Sequence, residues 1–259
     1  MRRVGVIGHG AIGSVVAAEL TSGRIAGCTL AGVLTQAPRC DIPFRVAGVD
    51  ELIERSDIVV EAAGHAAVEA HCPAVLDAGI DLLMVSVGAL VDDGLRQRLT
   101  GRAGRLLLSA GAIGGLGLLR AAALFGSIDG VRLTTTKSPS ALLAPWMPRA
   151  LVDDLRHGTQ PVTVFEGTAR DAVARFPESI NVAATLALAT VGFERTHVRV
   201  VGDRAAARVT HVIRVEGAAG RYELHIENTP SANPRTSAIT PYNVLRALGD
   251  MSDSAVIGL

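Results

Sequence analysis

The sequence predicts an α/β protein: an N-terminal parallel, doubly wound sheet followed by a C-terminal α+β domain with a mixed or antiparallel sheet. Short apolar runs alternate with helical patterns as far as Leu108, and such runs are typical of buried parallel strands. A glycine-rich turn over residues 8–13 follows the first of these runs directly. Beyond Gly115 the strand patterns are longer and mix polar with apolar residues, as strands with one solvated face do.

The first part of the chain contains several apolar runs of strand length, separated by helical patterns and turns. We predict strands over residues 4–7, 30–34, 44–46, 58–60, 82–85 and 106–108. Helices are predicted over residues 11–20, 67–78 and 92–99. Gly79 follows the second of these helices, at the position where glycine commonly ends a helix.

The second part combines strand patterns of mixed polarity with apolar helical patterns. Strands are predicted over residues 131–136, 162–166, 198–201, 208–216 and 221–227, and helices over 116–125, 182–190 and 236–248. Residues 217–220 separate the last two strands as a hairpin turn. We therefore expect a first domain over residues 1–110, a second over 111–235, and a C-terminal segment, 236–259, that packs back on the first domain.

Composition and charge argue against several classes of protein. Lys and Arg together balance Asp and Glu at 25 each, so no basic surface for nucleic acid or an anionic membrane is indicated. No apolar stretch approaches the roughly 18 residues of a membrane helix. Three cysteines without a C-x-x-C pair, and histidines without ligand spacing, predict neither a disulfide framework nor a metal site. A reducing, cytoplasmic location fits this cysteine usage.

The glycine-rich turn has the pattern G-x-G-x-x-G in the context that gives it meaning, between a strand and a helix. Gly8 permits a tight turn, Gly10 permits close approach of a pyrophosphate, and Gly13 permits close contact of helix and strand. Ala11 and Ile12 lead into the helix, whose N-terminal N–H groups favour phosphate. The first domain is therefore predicted to be a Rossmann domain that binds a nicotinamide dinucleotide.

The residues after the second strand bear on the choice between NAD and NADP. An acidic residue usually follows this strand, binds the ribose hydroxyls and repels a 2′-phosphate. Residues 35–39 contain none, so we expect the site, with Thr35 and Gln36, to accept NAD or NADP. Arg39 is a candidate partner for the 2′-phosphate.

Ala63, Gly64 and His65 follow the strand over residues 58–60, at the sheet edge where such domains bind the cofactor. His65 is a candidate contact to the ribose or the nicotinamide. The alternative is a histidine that faces solvent at a helix N-terminus.

Six segments stand out together, in this order along the chain: GHGAIG at 8–13, EAAGH at 61–65, SAGAIGGL at 109–116, FPESINVAA at 176–184, THVI at 210–213 and NTPSANPRTS at 228–237. This set resembles the L-aspartate dehydrogenase family along essentially the whole chain. The resemblance implies a homodimer whose second domain carries the substrate site on an open sheet. It also implies oxidation of L-aspartate to iminoaspartate with NAD or NADP, a reaction that feeds nicotinamide cofactor synthesis. It also implies cofactor contacts from Asn181 and from Gly114 or Gly115, and an active-site role for His211.

The chemistry of the residues agrees with that resemblance. A neutral imidazole with an ordinary pKa of roughly 6.5 can take a proton from the substrate amine or position a water that does. His211 on a predicted strand is the candidate, with a merely packed or solvent-facing histidine as the alternative. Lys137, the only lysine, matches a family lysine and is a candidate ligand of the β-carboxylate, with an exposed lysine as the alternative. Arg235 and Ser237 are further candidates, with turn stabilisation as their alternative role.

The chain departs from the family pattern at three positions near these motifs. Gly117, Val212 and Thr136 stand where the family usually has Asp, Glu and Arg. Two other functions therefore stay open beside aspartate oxidation. One is a related amino-acid dehydrogenase or imine reductase with another small acidic substrate, and the other is a non-catalytic dinucleotide sensor.

Overall fold

The computed structural model describes residues 1–36, 42, 44–177 and 179–253, and it divides into two compact units. Met1–Gly111 and the helix that begins at Thr240 form the first unit, and Ala112–Ile239 form the second. No helix among the described residues is both long enough and apolar enough to cross a membrane.

The first unit is built on a five-stranded parallel sheet, as the alternation of apolar runs and helices predicts. Its strands are β1 (Arg2–Ile7), β2 (Cys28–Leu34), β3 (Ile58–Glu61), β4 (Asp81–Met84) and β5 (Leu106–Leu108). Their order is β2-β1-β3-β4-β5, and every neighbouring pair is parallel. The strand order reverses direction at β1, which is the point where doubly wound sheets bind their ligands.

Four helices connect or flank these strands, and a fifth comes from the end of the chain. They are α1 (Gly13–Thr21), α2 (Val49–Arg55), α3 (His65–Asp77), α4 (Asp93–Leu99) and α9 (Thr240–Asp250). Val16 and Leu20 of α1 share a buried apolar cluster with Val244 and Leu248 of α9. The final helix thus belongs to the core of the first unit. It begins later than the predicted residue 236 because residues 230–237 form a turn closed by a bridge between Pro230 and Ser237.

In the first unit one local prediction is wrong and one helix was missed. The predicted strand over residues 44–46 is reduced to a single bridge between Arg45 and Val33, because Phe44 has a left-handed backbone with φ +62° that interrupts an extended chain. Helix α2 was not predicted. It has only seven residues, and Leu52 is its one buried side chain, so its apolar periodicity is weak.

The second unit contains a five-stranded mixed sheet. Its strands are β6 (Ile128–Lys137), β7 (Val162–Thr168), β8 (Thr196–Gly202), β9 (Val209–Gly217) and β10 (Gly220–Asn228). The order is β10-β9-β6-β8-β7, in which β6 and β8 are parallel and the other pairs are antiparallel. The sheet is therefore mixed, the first of the two predicted possibilities, and β9 and β10 form the predicted hairpin.

One face of this mixed sheet is covered and the other is open. The helices of the unit are α5 (Leu116–Phe125), α6 (Arg149–His157), α7 (Ala169–Arg175) and α8 (Asn181–Ala189), and the prediction missed α6 and α7. On β6, Leu133, Thr135 and Lys137 are buried, whereas Arg132, which directly precedes them, is exposed. Successive side chains of a strand point to opposite faces, so these three residues share the covered face. Helices α7 and α8 contact β8.

Candidate active site

Three glycines form the turn between β1 and α1, and the surroundings of each differ. A Cβ on Gly8, whose φ is +99°, would lie 2.6 Å from the carbonyl oxygen of Ala62. A Cβ on Gly13 would lie 2.1 Å from the carbonyl oxygen of Gly8, because α1 approaches the turn too closely for a side chain. Gly10 differs, since among the described residues no atom lies within 4 Å of where its Cβ would be.

The turn therefore fits the pyrophosphate of a dinucleotide. The space beside Gly10 lets a ligand approach the backbone closely. Ile12 caps α1 without a side-chain hydrogen bond, and the first turn of α1 carries no acidic residue. The N–H of Ser14 donates to the carbonyl of Gly10 at 3.0 Å, but no acidic side chain occupies the positive dipole end of the helix, which is thus left to an anion.

Three neighbouring strand ends meet around this turn. The order β2-β1-β3 places their carboxyl ends side by side, and the N–H of Gly8 donates to the carbonyl of Leu34 at 2.8 Å. The predicted cofactor residues at this edge are Gly8, Gly10, Ala11, Ile12, Gly13, Thr35, Gln36, Ala63, Gly64 and His65. Arg39, the predicted partner of a 2′-phosphate, lies outside the described residues.

A buried carboxylate shapes the loop that follows β3. Glu61 is fully buried, and its Oε1 accepts hydrogen bonds from the N–H groups of Ala63 (2.8 Å) and Gly64 (2.9 Å). The hydroxyl and the N–H of Ser86 donate to its two oxygens at 2.9 and 3.0 Å. Burial raises the pKa of Glu61, while these four donors favour its charged form. The network holds Gly64, whose φ is +109°, at the start of α3.

In the second unit, His211 and Thr135 face each other across β9 and β6 on the covered face. The two residues are paired in the sheet register, and Thr135 Oγ1 lies 3.0 Å from His211 Nδ1. The His211 side chain is 2% exposed. The hydrogen bond fixes the orientation of the ring. For Nε2 to accept a proton, Nδ1 must carry the hydrogen and donate it to Thr135.

The surroundings of His211 keep its imidazole neutral. Burial, with a smaller contribution from the charge of nearby Lys137, lowers the pKa of His211 to about 3. The pKa thus lies below the ordinary value near 6.5, because the ring has lost its surrounding solvent. A neutral ring with so low a pKa accepts a hydrogen bond readily, but it binds a proton weakly in the absence of a nearby negative charge.

Lys137 lies two residues beyond Thr135 on the same face and is 3% exposed. Its Nζ donates three hydrogen bonds: to the carbonyl of Ser179 (2.9 Å), to the Ser179 hydroxyl (3.0 Å) and to the carbonyl of Arg235 (2.9 Å). Burial lowers its pKa to about 8, so it is largely protonated at pH 7. An ammonium group has three hydrogens, and all three are engaged. Lys137 thereby ties the start of α8, at Asn181, and the segment around Arg235 to the end of β6.

The segment around Arg235 is a turn built by Asn233. Asn233 Oδ1 accepts from the N–H of Arg235 at 3.0 Å, and its carbonyl accepts from the N–H of Thr236, also at 3.0 Å. The Arg235 side chain is exposed, and Ser237 is buried at the end of the turn.

The connector before α5 lies against the last strand of the sheet. Gly115 caps α5 with φ +76°, and a Cβ there would lie 2.6 Å from Leu224 Cδ1 of β10. Asn228 Nδ2, also on β10, donates to the carbonyl of Ala112 at 2.9 Å. The predicted contacts Gly114 and Gly115 are both exposed. Two contacts with β10 thus anchor the glycine-rich connector.

Two of the three departures from the family pattern do not face His211. Thr136 and Val212 are the immediate neighbours of Lys137 and His211 on their strands, and alternation places their side chains on the opposite, open face. Val212 lines a shallow pocket on that face with Arg132. Gly117 is an exposed residue in the first turn of α5. Two of the three departures thus lie away from the group that the sequence places in the substrate site.

The described residues hold no cluster of three His, Cys, Asp or Glu side chains that could bind a metal ion. Cys28 and Cys72 are free and buried, and burial raises the pKa of the Cys72 thiol. Both are therefore inert core residues rather than nucleophiles.

The sequence did not reveal four of the polar groups in these networks: Glu61, Ser86, Thr135 and Ser179. Thr135 could have been placed from the sequence, since it precedes Lys137 by two residues and therefore lies on the same face of the strand. Its pairing with His211 requires the register of β6 against β9. Glu61 stood inside a recognised motif, but its partners become visible only when β3 and β4 are placed side by side.

The fold and the glycine turn define an oxidoreductase that uses a nicotinamide dinucleotide. Residues 8–105 match the family described as homoserine dehydrogenase, NAD binding domain. Residues 118–251 match the family described as aspartate dehydrogenase, C-terminal, which covers just over half of the chain. The chain belongs to the L-aspartate dehydrogenase family.

Individual relatives support the same assignment over the whole length. The L-aspartate dehydrogenase of Methanosarcina mazei is 36% identical, and the alignment covers 100% of both chains. The L-aspartate dehydrogenase of Pseudomonas aeruginosa is 42% identical over 80% of this chain and 79% of its own. The crystal structure of aspartate dehydrogenase from Thermotoga maritima superposes with a TM-score of 0.76 at 27% identity, covering 99% of each chain.

Two alanine variants of the glycine turn should separate folding from cofactor binding. Gly13→Ala should unfold more easily, by about 1–3 kcal/mol or more, because its Cβ overlaps the Gly8 carbonyl. Gly10→Ala should keep the stability of the natural protein but bind NAD and NADP at least about tenfold more weakly, because the methyl group fills the space for the pyrophosphate. Thermal unfolding and calorimetric titration measure the two effects. Unchanged cofactor affinity in Gly10→Ala would contradict the placement of the pyrophosphate.

Proposed function

We propose that the protein catalyses the reversible oxidative deamination of L-aspartate to iminoaspartate with NAD or NADP. The main support is His211, which is buried and neutral and is held by Thr135 on the covered face of the mixed sheet. The chain also belongs to the L-aspartate dehydrogenase family. Iminoaspartate then reacts with water to give oxaloacetate and ammonium.

The reaction removes a hydride from Cα and one proton from the substrate ammonium group, and the amine lone pair then forms the C=N bond. The bound dinucleotide supplies the oxidant, since its nicotinamide ring takes up the hydride. The protein has to bind the amine in its neutral form, hold Cα in position and receive the proton.

His211 is the proposed proton acceptor. In the free protein its imidazole is neutral because burial lowers its pKa to about 3. A substrate with two carboxylates brings negative charge, which raises the pKa of a nearby imidazole. His211 then takes the amine proton at Nε2, either directly or through a water that Nε2 holds. Thr135 accepts the hydrogen of Nδ1 and stabilises the charged ring that results.

Lys137 is proposed to position the site rather than to bind substrate. Its three ammonium hydrogens are engaged by Ser179 and Arg235, so a carboxylate would have to displace one of these acceptors. Arg235, whose side chain is exposed on the segment that Lys137 holds, is the better candidate for a substrate carboxylate. Asn181, Gly114 and Gly115 are proposed cofactor contacts, as the family resemblance implies.

The homodimer and the cytoplasmic location are proposed on the same family resemblance. The free, buried Cys28 and Cys72 support a reducing compartment.

Replacement of His211 distinguishes an enzyme from a dinucleotide sensor. His211→Ala should bind NAD and NADP like the natural protein but lower kcat with L-aspartate by about 10²–10⁴-fold, the usual worth of acid–base catalysis. The matched control is His197→Ala, because His197 lies half-buried on β8 of the same sheet, beside Glu166 on the open face. That variant should keep its turnover. A natural protein that reduces neither cofactor with any amino acid would overturn the proposed reaction.

Replacement of Lys137 tests its positioning role. Lys137→Met keeps the length of the side chain but leaves two partly buried carbonyls without their donor, so the free energy of unfolding should fall by about 2–4 kcal/mol. Ser179→Ala removes one hydroxyl and keeps both carbonyl bonds, so its loss should be about 1 kcal/mol. Chemical denaturation measures both values. If Lys137→Met were as stable as the natural protein and only the KM for L-aspartate rose, Lys137 would be a direct ligand of the substrate.

A further inference from the structure

We propose that Arg45 recognises the 2′-phosphate of NADP, and that it is a specificity-determining residue of the dinucleotide site. The inference rests on the proposed use of NAD or NADP and assigns to one side chain the preference between them. Arg45 lies far along the chain from the glycine turn, and nothing in its sequence surroundings marks it.

The end of β2 is the part of the site where the two cofactors differ. In this fold the ribose of the adenosine half lies beside the carboxyl end of the second strand. The hydrogen bond from the Gly8 N–H to the Leu34 carbonyl, at 2.8 Å, joins that strand end to the glycine turn. A phosphate on the 2′-oxygen therefore falls next to the residues that follow Leu34.

The backbone brings Arg45 to this strand end. The N–H of Val33 donates to the carbonyl of Phe44 at 2.8 Å, and the N–H of Val46 donates to the carbonyl of Val33 at 3.1 Å. This parallel bridge places Arg45 beside Val33, the second-last residue of β2. The Arg45 side chain is exposed, and its Nη2 donates to the carbonyl of Thr35 at 3.3 Å. The guanidinium thus lies directly beyond the end of β2.

The local charge favours an anion at this point. Residues 33–39 contain no Asp or Glu, so the chain lacks the carboxylate that usually repels the 2′-phosphate here. Among the described residues, Arg45 joins no ion pair, and the nearby carboxylate of Glu51 is engaged by Arg55 and by the N–H of Ala47. A guanidinium carries five N–H donors, and one bond to Thr35 leaves a pair that fits two phosphate oxygens.

The test uses two cofactor fragments, 2′,5′-ADP and 5′-AMP, which differ only in the 2′-phosphate. Calorimetry with the full chain gives the ratio of their dissociation constants without substrate or turnover. Arg45→Gln keeps a donor for the Thr35 carbonyl and removes the charge, so the preference for 2′,5′-ADP should fall about 10–100-fold. Arg45→Lys should retain part of the preference, because it keeps a point charge without the fork.

The matched control is Arg98→Gln, an exposed arginine of α4 in the same unit, which should leave the ratio unchanged. Arg39→Gln tests the other candidate. A natural protein that binds both fragments equally, or an Arg45→Gln variant whose ratio is unchanged, would overturn the assignment to Arg45. Because the assay contains no substrate, these outcomes are independent of whether the protein oxidises L-aspartate.

Discussion

The cross-strand hydrogen bond between Thr135 and His211 is the interaction on which the chemistry of the second unit depends. A buried polar side chain without a partner is costly, so the pairing of β6 and β9 has to place a hydroxyl opposite the imidazole. Two residues further along β6, the buried ammonium group of Lys137 also needs hydrogen-bond partners, and it finds three acceptors outside the sheet. The sheet register therefore determines both the state of His211 and the position of the segments around it. Burial and the charge of Lys137 act on the imidazole in the same direction, and both keep it neutral.

The candidate sites of the two units are built from different groups, backbone in the first and side chains in the second. At the edge of the parallel sheet, backbone groups form most of the binding site. Glycines leave space free of side chains, a helix end offers N–H groups, and Glu61 accepts hydrogen bonds from the N–H groups of its own loop. On the covered face of the mixed sheet, side chains carry the chemistry, and their strands fix them. The glycine turn suits a pyrophosphate without a charged side chain, while the second arrangement holds a neutral imidazole.

The features that could be predicted from the sequence are those that short local patterns determine. The apolar runs of β1, β3 and β4 and the three spaced glycines were sufficient for the parallel sheet and its ligand edge, because burial and tight turns restrict residue type strongly. The left-handed backbone of Phe44 was not predictable, since nothing in its side chain favours that conformation. The hydrogen-bond partners of Lys137 were not predictable from local sequence either. Its acceptors lie 42 and 98 residues away along the chain, so a match to a family motif identified the residue but not its partners.

The central claim, that a buried and neutral His211 is the proton acceptor, can be tested most directly by nitrogen NMR of the ring. Long-range ¹H–¹⁵N correlations report the protonation and tautomer of each of the seven histidines, and His211→Gln identifies the signal of His211 by its loss. We expect the free protein to show a neutral ring with its hydrogen on Nδ1 from about pH 5 to pH 9, without a midpoint in that range. A His211 that titrates near pH 6.5, as an exposed histidine does, would contradict it.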